Sequence, residues 1–183
     1  VHSSMGYPAI YSVNRPAYAG GALAVLMDLD GTSVHSEDFW VWIIQRTLAE
    51  LMRNPHFELQ EKDIPFVSGH SVSEHLQYGI DTYCPGKKVE EARAIYYRIT
   101  EEELGKILEG RGYPDAFVPA PHLKEFLTKV KERKIRIGLV TSGLQEKAWP
   151  EILAAFRAMK MGDPLDYYDA IITAGTALKK GQT

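Results

Sequence analysis

The stretch that most constrains this chain is "LAVLMDLDGT", an apolar run over Leu23–Leu29 set between Gly21 and Gly31, with Asp28 and Asp30 at its end. A short continuous apolar run bounded by glycines is the pattern of a strand buried on both faces. Such a strand needs parallel neighbours and covering helices, and the rest of the chain has to supply them.

It does so in alternation. "EDFWVWIIQRTLAELMR", from Glu37 to Arg53, reads as a helix with Ser36 or Asp38 available as its cap. "SVSEHLQYGIDTYC" and "KKVEEARAIYYRITEEELGKILEG" are helical by pattern, with Ser71 and Glu74 spaced as a capping box. No strand is expected there, so residues 36–113 read as a helical insertion that closes in the turn-rich "GRGYPDAFVPAP". Then come an amphipathic helix with Leu123, Phe126, Leu127 and Val130 on one face, the strand "IRIGLVTSG", a further helix and the strand "YYDAIITAG". Pro150 is expected to kink or restart that second helix. The order implies right-handed crossovers and an α/β fold: a Rossmann-like, doubly wound parallel sheet built from residues 1–35 and 114–183.

In such sheets the reactive groups lie beyond the carboxyl ends of the strands. Asp28 and Asp30 sit at the first of these ends, and Thr141, Ser142 and Gly143 at the second. Two neighbouring carboxylates repel unless a cation or a shared proton compensates. Hard oxygen ligands suit Mg²⁺, which keeps several waters and is completed by phosphate oxygens. Thr-Ser-Gly ahead of a helix offers hydroxyls and amides to an anion. An acid pair beside a hydroxyl turn makes a metal-plus-phosphate site.

Here the sequence resembles the haloacid dehalogenase-like superfamily of phosphohydrolases, with "VLMDLDGTSVHSE" similar to its first motif and "IGLVTSG" to its second. The resemblance implies an aspartyl-phosphate on Asp28 as nucleophile, Asp30 as general acid/base, and Mg²⁺ held by the Asp28 carboxylate and the Asp30 backbone carbonyl. It implies that Thr141 or Ser142 binds the phosphoryl oxygens together with the Gly143 turn. An acid at the position of Asp30 favours phosphate esters over carbon–halogen or phosphonate substrates. The insertion falls where this family carries its α-helical cap, and "VSGHSVSEHL" is similar to the cap loop that selects substrate, which brings in Gly69, His70 and Ser71. The expected activity is a Mg²⁺-dependent phosphatase of a small phosphorylated metabolite. A phosphomutase of the beta-phosphoglucomutase type and an inactive domain kept for binding are the alternatives.

Two family elements do not match. The third-motif lysine has only Lys179 and Lys180 as candidates, out of context, and the fourth-motif acids are absent, so the chain reads as C-terminally incomplete and a poor catalyst as given. The first strand is then expected at a sheet edge. His35 and Glu37 read as helix-end or solvated residues, Trp40 and Trp42 as packing, and Cys84 as a small filler.

With 183 residues, the length suits one domain plus an insertion, and a net charge of -3 argues against nucleic acid as a partner. One cysteine, no membrane-length apolar run and no targeting pattern point to the cytoplasm.

Overall fold

The computed structural model describes residues 20–68, 71–113 and 115–174. In chain order the elements are β1 (Ala24–Met27), β2 (Val34–His35), α1 (Glu37–Leu51), α2 (Val72–Tyr83), α3 (Val89–Leu108), β3 (Val118–Pro119), α4 (Leu123–Glu132), β4 (Arg136–Leu144), α5 (Gln145–Ala158) and β5 (Ala170–Ala174). Single 3₁₀ turns cover Glu61–Phe66 and Pro164–Asp166.

β1, β4 and β5 form a parallel sheet in the order β1-β4-β5, with Leu26 opposite Gly138 and Val140 opposite Ile172. Both crossovers step the same way across the sheet, so right-handed connections put α4 and α5 on one face. Burial agrees. Ile137 and Leu139 of β4 are fully buried, whereas Leu26, Ile172 and Val140 on the opposite face are 76%, 53% and 39% exposed. Among the described residues β1 pairs on one side only, so it lies at the sheet edge as expected. A Cβ on Gly138 would come within 2.7 Å of Leu26 Cδ2. The leucine therefore lies across β4, and a side chain at 138 would displace it.

Among the described residues, the only regular elements between β2 and β3 are helices, as the pattern predicts. α1 packs on α2 and α3 through Phe39, Ile43, Ile44, Leu48, Leu76, Ile80 and Ile99, all essentially fully buried. Burial of one such side chain contributes about 1.5–3 kcal/mol. A Cβ on Gly79 would stand 2.5 Å from Leu48 Cδ1, so α1 and α2 approach too closely for anything but glycine there. Ser71 caps α2 in the expected box: its hydroxyl accepts from the Glu74 N–H, and the Glu74 carboxylate accepts from the Ser71 N–H.

Three details depart from the sequence pattern. β2 and β3 pair antiparallel, Val34 with Pro119 and His35 with Val118, and join the entry of the helical stretch to its exit. Two-residue strands are too short to show a period. Pro150 lies inside α5, which runs on through it to Ala158. There the ring removes one hydrogen bond near the helix start, and the residue's burial holds the helix to its course. Phe126 is exposed, because α4 turns only Leu123, Leu127 and Val130 inward.

Candidate active site

The turn after β1 is built around Leu29, whose side chain is buried and whose carbonyl accepts hydrogen bonds from the N–H groups of Ser33 (2.9 Å) and Val34 (3.0 Å). Gly31 has φ = 69°, a left-handed conformation that glycine adopts without strain. Burying Leu29 leaves its two neighbours, Asp28 and Asp30, on the exposed side of the turn.

Asp28 follows directly on β1. Its Oδ2 accepts from the Thr32 hydroxyl at 3.4 Å, and its backbone carbonyl accepts from the Ser33 hydroxyl at 2.5 Å. Asp30 is held more firmly: the Ser36 hydroxyl donates to its Oδ1 at 2.8 Å. Ser36 occupies the N-cap position of α1 but makes no side-chain cap. Its hydroxyl fixes Asp30 instead, while Glu37 Oε2 accepts the Ser36 N–H at 3.1 Å.

The second strand end meets the first. Thr141 is buried, and its Oγ1 accepts the Gly143 N–H at 3.0 Å, at the register shift where β4 leaves β5. A Cβ on Gly143 would lie 3.3 Å from that Oγ1 and 4.0 Å from Asp30 Oδ2. Asp30 therefore faces the Thr141–Gly143 turn, and only a residue without a side chain leaves the gap between them open. Ser142 and Gly143 line a cleft of about 540 Å³ together with Asp30, Ser36, Trp40 and Lys147.

Two residues of α5 that the sequence pattern does not single out stand here, Lys147 lining the cleft and Glu151 buried beside Asp30. Lys147 places its ammonium 3.8 Å from the Trp40 ring centroid. Burial lowers its pKa, while the Glu151 and Asp30 carboxylates pull it back up. Glu151 is 2% exposed, and its Oε2 has no hydrogen-bond partner among the described residues. Burial, and after it the Asp30 carboxylate, pushes its carboxyl up to about 9, so at neutral pH it keeps a proton that it can offer to Asp30. One signal was present in the sequence: Glu151 falls at helical spacing among Ala148, Ile152 and Ala155, on the buried face of α5.

The remaining expected residues are placed as follows. Ser71 is engaged in its cap; Ser68 and Val72, on either side of that loop, line the cleft. Gly69, His70, Lys179 and Lys180 lie outside the described residues. His35 is exposed in β2, and Glu37 lines the cleft. Trp42 packs on Tyr113 with 4.5 Å between ring centroids, as the packing reading expects. Cys84 is half-buried at the end of α2, and burial raises its thiol pKa.

Among the described residues no group of three or more His, Cys, Asp or Glu side chains converges. The oxygens at hand are the exposed Asp28 carboxylate, with one long hydrogen bond, and the backbone carbonyl of Asp30. That small hard donor set suits Mg²⁺, which takes most of its shell from water and phosphate.

A family model described as haloacid dehalogenase-like hydrolase matches residues 25–178. Among solved structures, the chain is similar to a HAD-superfamily hydrolase, subfamily IA, variant 1, from Geobacter sulfurreducens PCA, at 19% identity and a TM-score of 0.62 over 89% of this chain and 68% of that one. It is also similar to CbbY from Rhodobacter sphaeroides in complex with phosphate, at 15% identity and a TM-score of 0.54 over 87% of this chain and 67% of that one. A mutant of CbbY, bound to xylulose-(1,5)bisphosphate, aligns at 14% identity and a TM-score of 0.54, with the same shares covered. The chain thus spans about two thirds of the length of each of these structures. No match was found among curated protein sequences.

Proposed function

The chain belongs to the haloacid dehalogenase-like hydrolase family, and from that premise we propose that it is a phosphoric-monoester hydrolase working through an aspartyl-phosphate on Asp28. The observation that carries this reading is the meeting of two strand ends: Asp30, held by Ser36, faces the Thr141–Gly143 turn, and Asp28 directly follows β1, which pairs with β4. An acceptor pair on one side and a hydroxyl-and-amide turn on the other enclose a place for a phosphoryl group.

Asp28 Oδ attacks phosphorus, and the bond from phosphorus to the leaving oxygen breaks as the new one forms. Asp30 gives its proton to the leaving oxygen, then takes one from the water that attacks the phosphoenzyme, which releases phosphate and restores Asp28. Ser36 keeps the Asp30 carboxyl aimed throughout. The Ser142 hydroxyl and Lys147 contribute a donor and a positive charge on the cleft wall. Mg²⁺, held by the Asp28 carboxylate and the Asp30 carbonyl, would neutralise the charge that builds up on the phosphoryl oxygens. Residues 36–113 act as the cap over this site, with Ser68 and Val72 among its lining. We assign the activity to the cytoplasm on the single cysteine; among the described residues no helix is long and apolar enough to cross a membrane.

The test is hydrolysis of p-nitrophenyl phosphate with and without Mg²⁺. Metal-dependent turnover that drops by roughly three orders of magnitude or more in Asp28→Asn is expected, since the amide is no nucleophile. Turnover that survives the substitution sinks the assignment. With a hexose 1-phosphate the product separates hydrolysis from the mutase alternative: free phosphate for the first, the isomeric 6-phosphate for the second. A chain that binds phosphate but turns nothing over is the binding domain of the third reading.

A further inference from the structure

A second cavity, of about 820 Å³, opens from the cleft between α3 and α5. The two are continuous: Val72, Tyr96, Ser142, Gly143 and Lys147 line both. The far walls of the larger one are Tyr97, Leu104 and Leu108 from α3, Leu144 from the end of β4 and Trp149 from α5. Tyr97, Leu108 and Leu144 are 53%, 42% and 51% exposed, so apolar surface here faces open space and not a packed core. A concave apolar chamber of this size, joined to a few convergent polar groups, is the form of a small-molecule site.

Charge narrows the occupant. Lys147 is the only lysine or arginine among the described residues lining either cavity. It stands at their junction, next to the position expected for the phosphoryl group. The larger chamber carries carboxylates instead, Glu101 and Glu146. A second phosphate there would meet two like charges, and among the described residues its only lining cation would be Lys147, already at the junction. A sugar would leave its hydroxyls against leucine and aromatic walls, at the cost of their hydration. A flat apolar group meets Tyr97 and Trp149 and removes the exposed leucines from water.

Resting on the phosphatase reading above, we propose that the substrate is a monophosphate ester of a bulky, uncharged, apolar alcohol, typically aromatic. Its phosphoryl group sits between Asp30 and Ser142, and its leaving group fills the chamber between α3 and α5. The substrate thus carries a single anionic group, unlike a sugar bisphosphate.

The experiment compares two non-hydrolysable probes on the full chain in Mg²⁺: 1-naphthylphosphonate and methylphosphonate, titrated by calorimetry. The naphthyl probe is expected to bind at least roughly tenfold tighter, from the apolar area it buries. Tyr97→Ala and Leu108→Lys, both at exposed positions of α3, should each erase most of that preference and leave methylphosphonate binding unchanged. Equal binding of the two probes, or a preference that survives both substitutions, overturns the leaving-group assignment while the phosphatase reading stands. Failure of both probes to bind overturns the phosphatase reading and this inference with it.

Discussion

Asp63 and Glu151 are acids buried almost equally, at 0% and 2% exposure, one in the helical stretch and one beside the candidate active site. Their surroundings treat them in opposite ways. Asp63 Oδ1 accepts from the Tyr78 hydroxyl at 2.7 Å, and Oδ2 accepts from the Gln60 N–H at 2.8 Å and from the Tyr83 hydroxyl. Burial alone would raise its pKa, but these bonds outweigh burial and leave it below the ordinary value, so the group stays charged. Glu151 has a poorer set: Oε2 is unpartnered among the described residues, and burial with the Asp30 carboxylate outweighs the Lys147 charge and the Trp40 hydrogen bond, so the carboxyl stays neutral. A buried charge with three donors ties separate segments together. A buried acid left short of partners costs stability, and it stands against the proposed general acid. The helical stretch uses its acid to hold its shape, whereas the core tolerates its acid beside the chemistry.

The comparison can be broken first at Asp63. Asp63→Ala strands two tyrosine hydroxyls and a backbone N–H and should cost about 3 kcal/mol, read as a lower urea midpoint. The pH dependence has a definite sign. A carboxyl depressed on folding contributes stability above its unfolded value, near 3.8, and loses it as pH falls through the lower folded value. The variant should therefore lose the acid-side fall in stability that the parent shows below about pH 4. An unchanged midpoint would mean that the three hydrogen bonds hold nothing together.

Glu151 predicts the reverse. Its folded pKa of about 9 stands above the ordinary value of 4.5, so the folded chain binds the extra proton between those values and stability declines as pH rises through that window. Glu151→Gln keeps the shape and removes the titration. It should raise stability at pH 8 by something on the order of 1–2 kcal/mol and flatten the slope between pH 5 and 8. Loss of stability instead would show that Glu151 is satisfied in solution and that the contrast with Asp63 is false.

This contrast also marks the limit of what the sequence discloses. The placement of Asp28, Asp30 and the Thr141–Gly143 turn at two adjoining strand ends is legible because it is local: each lies at the end of an apolar run whose period can be read directly. The same is true of the strand and helix order and of the Ser71–Glu74 box. The Asp63 node is not legible, since its donors come from positions 60, 78 and 83, and only the packing of the Glu61–Phe66 turn on α2 brings them together. Lys147 and Glu151 depend on which face α5 turns to the cleft. That face is set by the register shift in β4 and by the run of the helix through Pro150. Ser36 misleads for a related reason: it stands at the cap position, but its hydroxyl donates to Asp30 and accepts from no N–H of the helix.

The smallest effect sharpens the reading of the Asp63 node. Tyr78 and Tyr83 both donate to it, but burial and hydrogen bonding hold them unequally. Tyr83 has its phenol pushed up to about 12, first by the bond to Asp63 and then by burial, while Tyr78 is raised for the same reasons and partly relieved by Thr82. Tyr78 also stacks on Phe66 at 4.7 Å between centroids, a contact that phenylalanine preserves. Tyr78→Phe removes one of three donors, leaves the carboxylate bound by the other two, and should cost about 1 kcal/mol. Tyr83→Phe should cost somewhat more, because its phenol, pushed up to about 12 first by its bond to Asp63, is the more strongly tied of the two. If the two losses sum to much less than that of Asp63→Ala, the surplus is the cost of the orphaned donors, which a double-mutant cycle across Asp63 and Tyr83 would measure.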